Sequence, residues 1–183
     1  ITESWLSSSY SSYLLADLNK FSVLMKDRLS TGGGVCAIIR AGIDFVLVDV
    51  APEFTDLELL AFDVIGVHTK YRFILCYRRP SSGINDLCLL TKAIDSLCTS
   101  DASVILCGDF NLPAISWTSP DINDVSDLLC SSFIDCVQEN ALVQYVSQAT
   151  RGNNILDLVF SIDPFLVHDV IVSVPLSTSD HNT

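Results

Sequence analysis

An α/β fold follows from the way apolar residues are grouped along this sequence. Short, wholly apolar runs at 35–39 and 104–106 are bounded by glycine and polar turn residues, as buried strands are. Two longer stretches, 84–98 and 125–140, instead repeat apolar residues every three or four positions, the spacing of an amphipathic helix. Composition is the third observation. Of the 183 residues 49% are hydrophobic and mean hydropathy is +0.43, which suits a buried sheet and excludes a disordered chain.

Taken in order, the chain opens Ile1-Thr2-Glu3-Ser4-Trp5-Leu6 and enters a Ser/Tyr-rich loop at 7–13. Residues 17–33 are polar and end in glycine, so a loop is expected there. Gly32-Gly33-Gly34 then launches the strand at 35–39. A triple glycine can cradle a phosphate, but no Lys-Ser/Thr follows as in a P-loop, and a tight approach to a strand explains it better. Segments 45–50, 57–67 and 71–77 read as further strands, the last two joined by a hairpin connection. Tyr77-Arg78-Arg79-Pro80 leaves the third of these as a loop. Its guanidinium forks match phosphate oxygens, although a solvated loop carries the same residues. Leu87, Leu90, Ile94 and Leu97 mark one helix face, and Leu128, Phe133 and Val137 another. Segments 142–146, 155–160 and 167–174 complete the expected strands.

The chemistry gathers at strand ends. Gly108-Asp109-Phe110-Asn111 stops the apolar run at 104–106, and spacing two puts Asp109 and Asn111 on one face of extended backbone while Phe110 turns inward. A carboxylate there can take a proton from water or bind a metal, and the amide can orient water or a phosphate oxygen. The same residues also suit an Asx-Pro turn, and both readings stand at this point. Asp157 sits inside an otherwise apolar strand, which is costly without a partner. His181, beside Asp180 near the end of the sequence, is the natural candidate.

Net charge is −12, which argues against a partner held by bulk electrostatics. Nine of the ten basic residues lie at or before Lys92, and Arg151 is the tenth. Nucleic acid could bind only along one face, through Lys20, Lys26, Arg28, Arg72, Arg78 and Arg79. Seven cysteines form an odd set without a CxxC pair, so a reducing, intracellular compartment is expected rather than zinc or a disulfide framework. No apolar run approaches the ~18–20 residues a membrane helix needs. The expectation is one domain over 1–183, cut from a longer chain.

Together, Glu3-Ser4-Trp5, Gly32-Gly33-Gly34-Val35, Tyr77-Arg78-Arg79-Pro80, Gly108-Asp109-Phe110-Asn111, Leu156-Asp157-Leu158-Val159-Phe160 and Ser179-Asp180-His181 resemble the endonuclease/exonuclease/phosphatase superfamily. Arg28-Leu29-Ser30, Leu112-Pro113 with Ile115 and Trp117, and Thr150-Arg151 are similar to the apurinic/apyrimidinic-type endonuclease domain of non-LTR retrotransposons. The resemblance implies a four-layered α/β sandwich, DNase I-like, with two mostly antiparallel sheets flanked by helices and incomplete at both ends. It implies hydrolysis of DNA phosphodiester bonds with Mg²⁺, or Mn²⁺ in its place. Glu3 and Asp180 match metal-site carboxylates, Asp109 the residue activating water, and Asn111 the residue orienting water or phosphate. Tyr77 matches a phosphate-contacting tyrosine, and Asp157 with His181 the Asp-His pair. Thr150 falls where related endonucleases contact phosphate, and Arg78 and Arg79 are the further substrate-binding candidates. The expected partners are DNA, nicked in the nucleus to prime reverse transcription, and a reverse-transcriptase domain downstream in the same polyprotein. The sequence departs from the pattern in three ways. The family's first strand, with its Asn, would precede Ile1; the strand after Ser-Asp-His is missing; and Arg79 stands where the subgroup has a second proline. Two alternatives remain: a catalytically dead retroelement remnant, and a superfamily phosphatase acting on a smaller phosphoester.

Overall fold

The structure is a computed structural model that describes residues 1–2, 4–6, 12–28, 32–98, 102–118 and 127–183. Its elements run β1 (Phe21–Lys26), β2 (Val35–Arg40), β3 (Phe45–Leu47), β4 (Glu58–Ile65), β5 (Lys70–Tyr77), α1 (Ile84–Leu97), β6 (Ala102–Asp109), α2 (Leu128–Glu139), β7 (Val143–Gln144) and β8 (Asp157–Ser161). Strands β3-β4-β5-β6-β8-β7 form one six-stranded sheet in that order, and β1-β2 form a second. All pairings are antiparallel except β5 with β6, which α1 connects as a crossover.

The large sheet buries both faces, and side-chain alternation assigns each residue to one of them. Val104, Leu106, Leu158 and Phe160 face the helices, where Leu87, Leu90, Ile94, Phe133 and Val137 cover them. Leu60, Phe62, Leu75 and Tyr77 face the other way, against Val35, Ala37 and Ile39 of β2. Helices, large sheet and small sheet make three layers among the described residues: the two-sheet sandwich that the resemblance implies is present, while the fourth layer, helices outside the small sheet, is not among them. Helix α2 begins at Asp127, whose carboxylate accepts from the amides of Leu129 and Cys130 at 2.8 and 3.2 Å. Segment 125–126 of the second expected helix lies outside the described residues. All seven cysteines are free thiols.

Two expectations about strands are corrected. The loop expected at 17–33 contains β1, in register with β2 from Phe21↔Arg40 to Lys26↔Val35. Conversely, 167–174 is not a strand. Val170, Ile171 and Val172 line a cleft, while Ile171, Val174 and Leu176 are largely exposed. A strand needs a ladder partner, and Ser173 exchanges backbone bonds only with Thr183.

Candidate active site

Strand register assembles the site. Tyr77 of β5 pairs with Asp109 of β6, which pairs with Asp157 of β8, and Glu58 of β4 pairs with Tyr77. Residues opposite one another on neighbouring strands share a face, so four polar side chains form one row across the sheet, on the side away from the helices. Gly108 lets the strands close up beside this row. A β-carbon there would lie 2.0 Å from the Cys76 carbonyl oxygen. Phe110 then plunges into the core, its ring 4.7 Å from that of Phe133 and 5.8 Å from that of Phe160. Burying a ring of that size stabilises by about 1.5–3 kcal/mol, which fixes the chain on both sides of the Asp109–Asn111 turn.

Asn111 takes a left-handed conformation, φ 49°, which Asn tolerates better than most residues. Its backbone amide donates to Asp109 Oδ1 at 3.1 Å and its Nδ2 to Asp109 Oδ2 at 2.8 Å. The same Nδ2 donates to the Arg78 carbonyl at 2.8 Å. Arg78 returns the contact, giving Nη1 to the carbonyls of Asn111 at 3.1 Å and Phe110 at 3.3 Å, and Nη2 to Ser82. Arg78 is therefore buried, and the expectation that it binds substrate is corrected: its guanidinium is turned to the chain's own carbonyls and holds the turn.

Asp109 is only 1% exposed. Burial and the neighbouring Asp157 carboxylate push it up to about 7, although His181 and the Asn111 bonds oppose the rise. His181 Nδ1 lies 2.8 Å from Asp157 Oδ2, and its Nε2 is buried without a partner among the described residues. With Nδ1–H given to Asp157, Nε2 donates when the ring is protonated and accepts when it is neutral. Ligand atoms of Asp109, Asp157 and His181 lie within 4.8 Å of one another. Two crowded carboxylates, one of them made harder to ionise by burial and by the other, fit a hard divalent cation that keeps several waters. Asp109 and Asp157 would hold it, and when bound it would supply positive charge at a phosphoryl oxygen.

Asp180 stands at the rim, largely exposed, with Oδ2 2.5 Å from Arg151 Nη2. That guanidinium holds its carboxyl below the usual carboxylate range. Thr150 is buried, and its Oγ1 accepts from the amides of Leu156 and Asp157, each at 3.0 Å. Its carbonyl accepts from the Asn182 amide at 2.7 Å. Thr150 thus ties the start of β8 to the segment carrying His181, a role the sequence did not suggest. Tyr77, Asp109, Asn111, Thr150, Asp157, Asp180 and His181 all line one cleft of about 1010 Å³. Glu3 lies outside the described residues.

Glu58 is the buried carboxylate that sequence reasoning missed. Arg28 Nη2 reaches it at 2.8 Å, Arg79 Nε at 3.0 Å and the Gly34 amide at 2.5 Å. The triple glycine does cradle an anion, and that anion belongs to the chain. Gly33, at φ 78°, could not carry a β-carbon, which would sit 2.2 Å from Glu58 Oε2. Arg79 lines a second, smaller cleft with Glu58 and not the one holding Asp109. A carboxylate in Glu-Leu-Leu-Ala-Phe was as much a signal as Asp157 in Leu-Asp-Leu-Val-Phe.

The six cations expected to make a binding face are matched within the chain. Lys20 pairs with Asp17 at 3.4 Å, Lys26 Nζ donates to the Thr55 carbonyl at 2.6 Å, and Arg72 Nε lies 2.8 Å from Asp63. Arg28 and Arg79 share Glu58, and Arg78 is buried among carbonyls.

A family model described as endonuclease-reverse transcriptase matches residues 71–183, more than half of the chain. No curated protein matches. Among solved structures, the endonuclease domain of TRAS1, a telomere-specific non-LTR retrotransposon, superposes with a TM-score of 0.68 at 16% identity, covering 88% of this chain and 75% of that one. The 3'-5' exonuclease NExo from Neisseria meningitidis gives 0.68 at 15% identity, covering 99% and 84%. An AP endonuclease from Archaeoglobus fulgidus gives 0.55 at 14%, covering 88% and 74%. At these identities the likeness is one of fold.

Proposed function

The chain belongs to the endonuclease-reverse transcriptase family of endonuclease/exonuclease/phosphatase hydrolases, and on that premise we propose that it nicks DNA by Mg²⁺-dependent hydrolysis of a phosphodiester bond. The product would be the primer end for a reverse transcriptase borne on the same polyprotein. One observation carries the reading: Asp109, Asn111, Asp157 and His181 meet in one cleft although 72 residues separate the first from the last.

Each of these residues has work that suits hydrolysis. Asp109, buried in the cleft beside Asp157, is placed to accept a proton from an attacking water. Asn111 fixes the carboxylate through two bonds, so the base does not rotate away from the water. Asp157 orients the His181 ring, and Nε2 presents a single polar atom to a phosphoryl oxygen. Thr150 holds Asp157 and Asn182, and through them the pair.

A plasmid-nicking assay tests the proposal, with EDTA and Asp109→Ala as controls. Mg²⁺-dependent conversion of supercoiled to open circles is expected, with a loss of ~10²–10⁴-fold in the variant. An inert protein would support the remnant reading, and phosphate release from small esters without nicking would support a phosphatase.

A further inference from the structure

We infer that Trp5 is a stacking platform for an unpaired nucleobase at the mouth of the cleft, and that base stacking rather than phosphate charge supplies most of the affinity for the nucleic-acid strand. The inference rests on the reading of the cleft as a nucleic-acid site and names how the substrate is gripped.

Three observations converge on this indole. Trp5 lines the same cleft as Asp109, Asp157 and His181, yet the residue is 62% exposed. It holds a left-handed backbone conformation, φ 53°, which is a genuine outlier for so bulky a residue. The strain is held in place from behind. The Trp5 amide donates to the Gly33 carbonyl at 2.9 Å, and the ring lies along Gly32, where a β-carbon would come within 3.5 Å of it. A strained backbone that presents a large apolar ring to solvent beside a catalytic row calls for a ligand. The other tryptophan, Trp117, packs its ring against Phe133 and Phe160.

Charge identifies that ligand's mode of binding. The net charge is −12, and the cation lining the cleft, Arg151, is already paired with Asp180 at 2.5 Å. Lys20, Lys26, Arg28, Arg72, Arg78 and Arg79 are matched as described above. Within the cleft, counterion release, which dominates binding by basic proteins, therefore has no unpaired arginine or lysine to draw on among the described residues. Stacking needs none, because every base offers a π-face to an aromatic ring. A cleft of about 1010 Å³ is also far larger than a small phosphoester requires and has room for a nucleotide.

The test is equilibrium binding in EDTA, where the strand stays uncut. The probes are a single-stranded DNA dodecamer and a sugar-phosphate dodecamer of the same charge without bases. The full chain is used with Trp117→Phe, so that Trp5 is the emitter. The DNA should quench Trp5 fluorescence and bind roughly 5- to 100-fold more tightly than the abasic strand, with a shallow salt slope. Trp5→Ala should erase that preference, and Trp5→Phe should keep much of it. Equal binding of the two strands by the parent protein, unquenched emission, or a preference that survives Trp5→Ala would overturn the inference. The two readings fail separately. Nicking that Trp5→Ala leaves intact sinks the stacking platform alone, whereas base-dependent quenching without nicking sinks the endonuclease reading alone.

Discussion

Replacing Asp109 by Asn separates the charge of this carboxylate from its shape, and the consequence for stability can be worked out. Burial and the Asp157 carboxylate raise Asp109 from 3.8 to about 7 in the folded chain. An acid that ionises less readily when folded leaves the native state unpenalised below 3.8, and the penalty grows as the pH climbs towards 7. Each pH step in that window is worth about 1.4 kcal/mol, so from about pH 5 to about pH 8 the wild type loses ~3 kcal/mol that Asp109→Asn retains. The new amide must also turn one N–H donor towards the Asn111 donors, at a cost of about 1–3 kcal/mol. That cost is the same at both pH values and cancels in the difference between them. Urea unfolding of both proteins in EDTA at the two pH values measures the quantity. The variant should gain ~3 kcal/mol on wild type between them, and added divalent cation should return most of the wild type's loss at the higher pH. Stability profiles that run parallel would refute the charge crowding on which the site's chemistry rests.

Two further substitutions separate positioning from substrate contact. Arg78→Ala leaves the carbonyls of Phe110, Asn111 and Ser82 without their donor, so it should cost about 3 kcal/mol in urea unfolding and lower kcat. The salt slope of DNA binding should stay unchanged, whereas losing a phosphate contact would reduce it by about 1. Thr150→Val keeps the shape but deprives two amides of their acceptor. About 2 kcal/mol of stability should go, and kcat should fall with KM steady; a raised KM with kcat intact would restore Thr150 to the phosphate contacts.

The central strands were legible because their patterns are determined by burial on both faces of the sheet. β6 alternates between the helical core and the opposite face, so its apolar run, its glycine stop and the Asp-x-Asn spacing all mark the same strand end. β1 escaped because Phe-Ser-Val-Leu-Met-Lys is half-buried throughout and shows no alternation; its ladder with β2 defines it, not its own pattern. The segment at 167–174 misled for the opposite reason. Its valines have strand propensity, but propensity forms no ladder without a partner. At the site, Asp157 was readable as a carboxylate in an apolar run that needs a donor, and His181 supplies one at 2.8 Å. The fate of Arg78 was not readable. A guanidinium in a post-strand loop looks the same in sequence whether it turns to solvent or back to its own carbonyls.

The row Glu58–Tyr77–Asp109–Asp157 shows how differently the fold treats three carboxylates that it brings together. Register alone would place three acids along one edge of a buried sheet, an arrangement that each must offset. Glu58 is neutralised by Arg28 and Arg79, and Asp157 is joined to the His181 ring. Asp63, another buried acid of β4, is matched by Arg72. Asp109 receives only the neutral amide donors of Asn111. It is the most deeply buried of the four acids, and no arginine, lysine or histidine is bonded to it among the described residues. Charge that the protein leaves unmatched must be met from outside, by a proton taken from water or by a cation. The arginines that could have quenched it are committed elsewhere, to Glu58 on one side and to backbone carbonyls on the other. Those commitments leave Asp109 to the amide donors of Asn111 among the described residues, which is why Asp109→Asn is the substitution that tests the proposed chemistry.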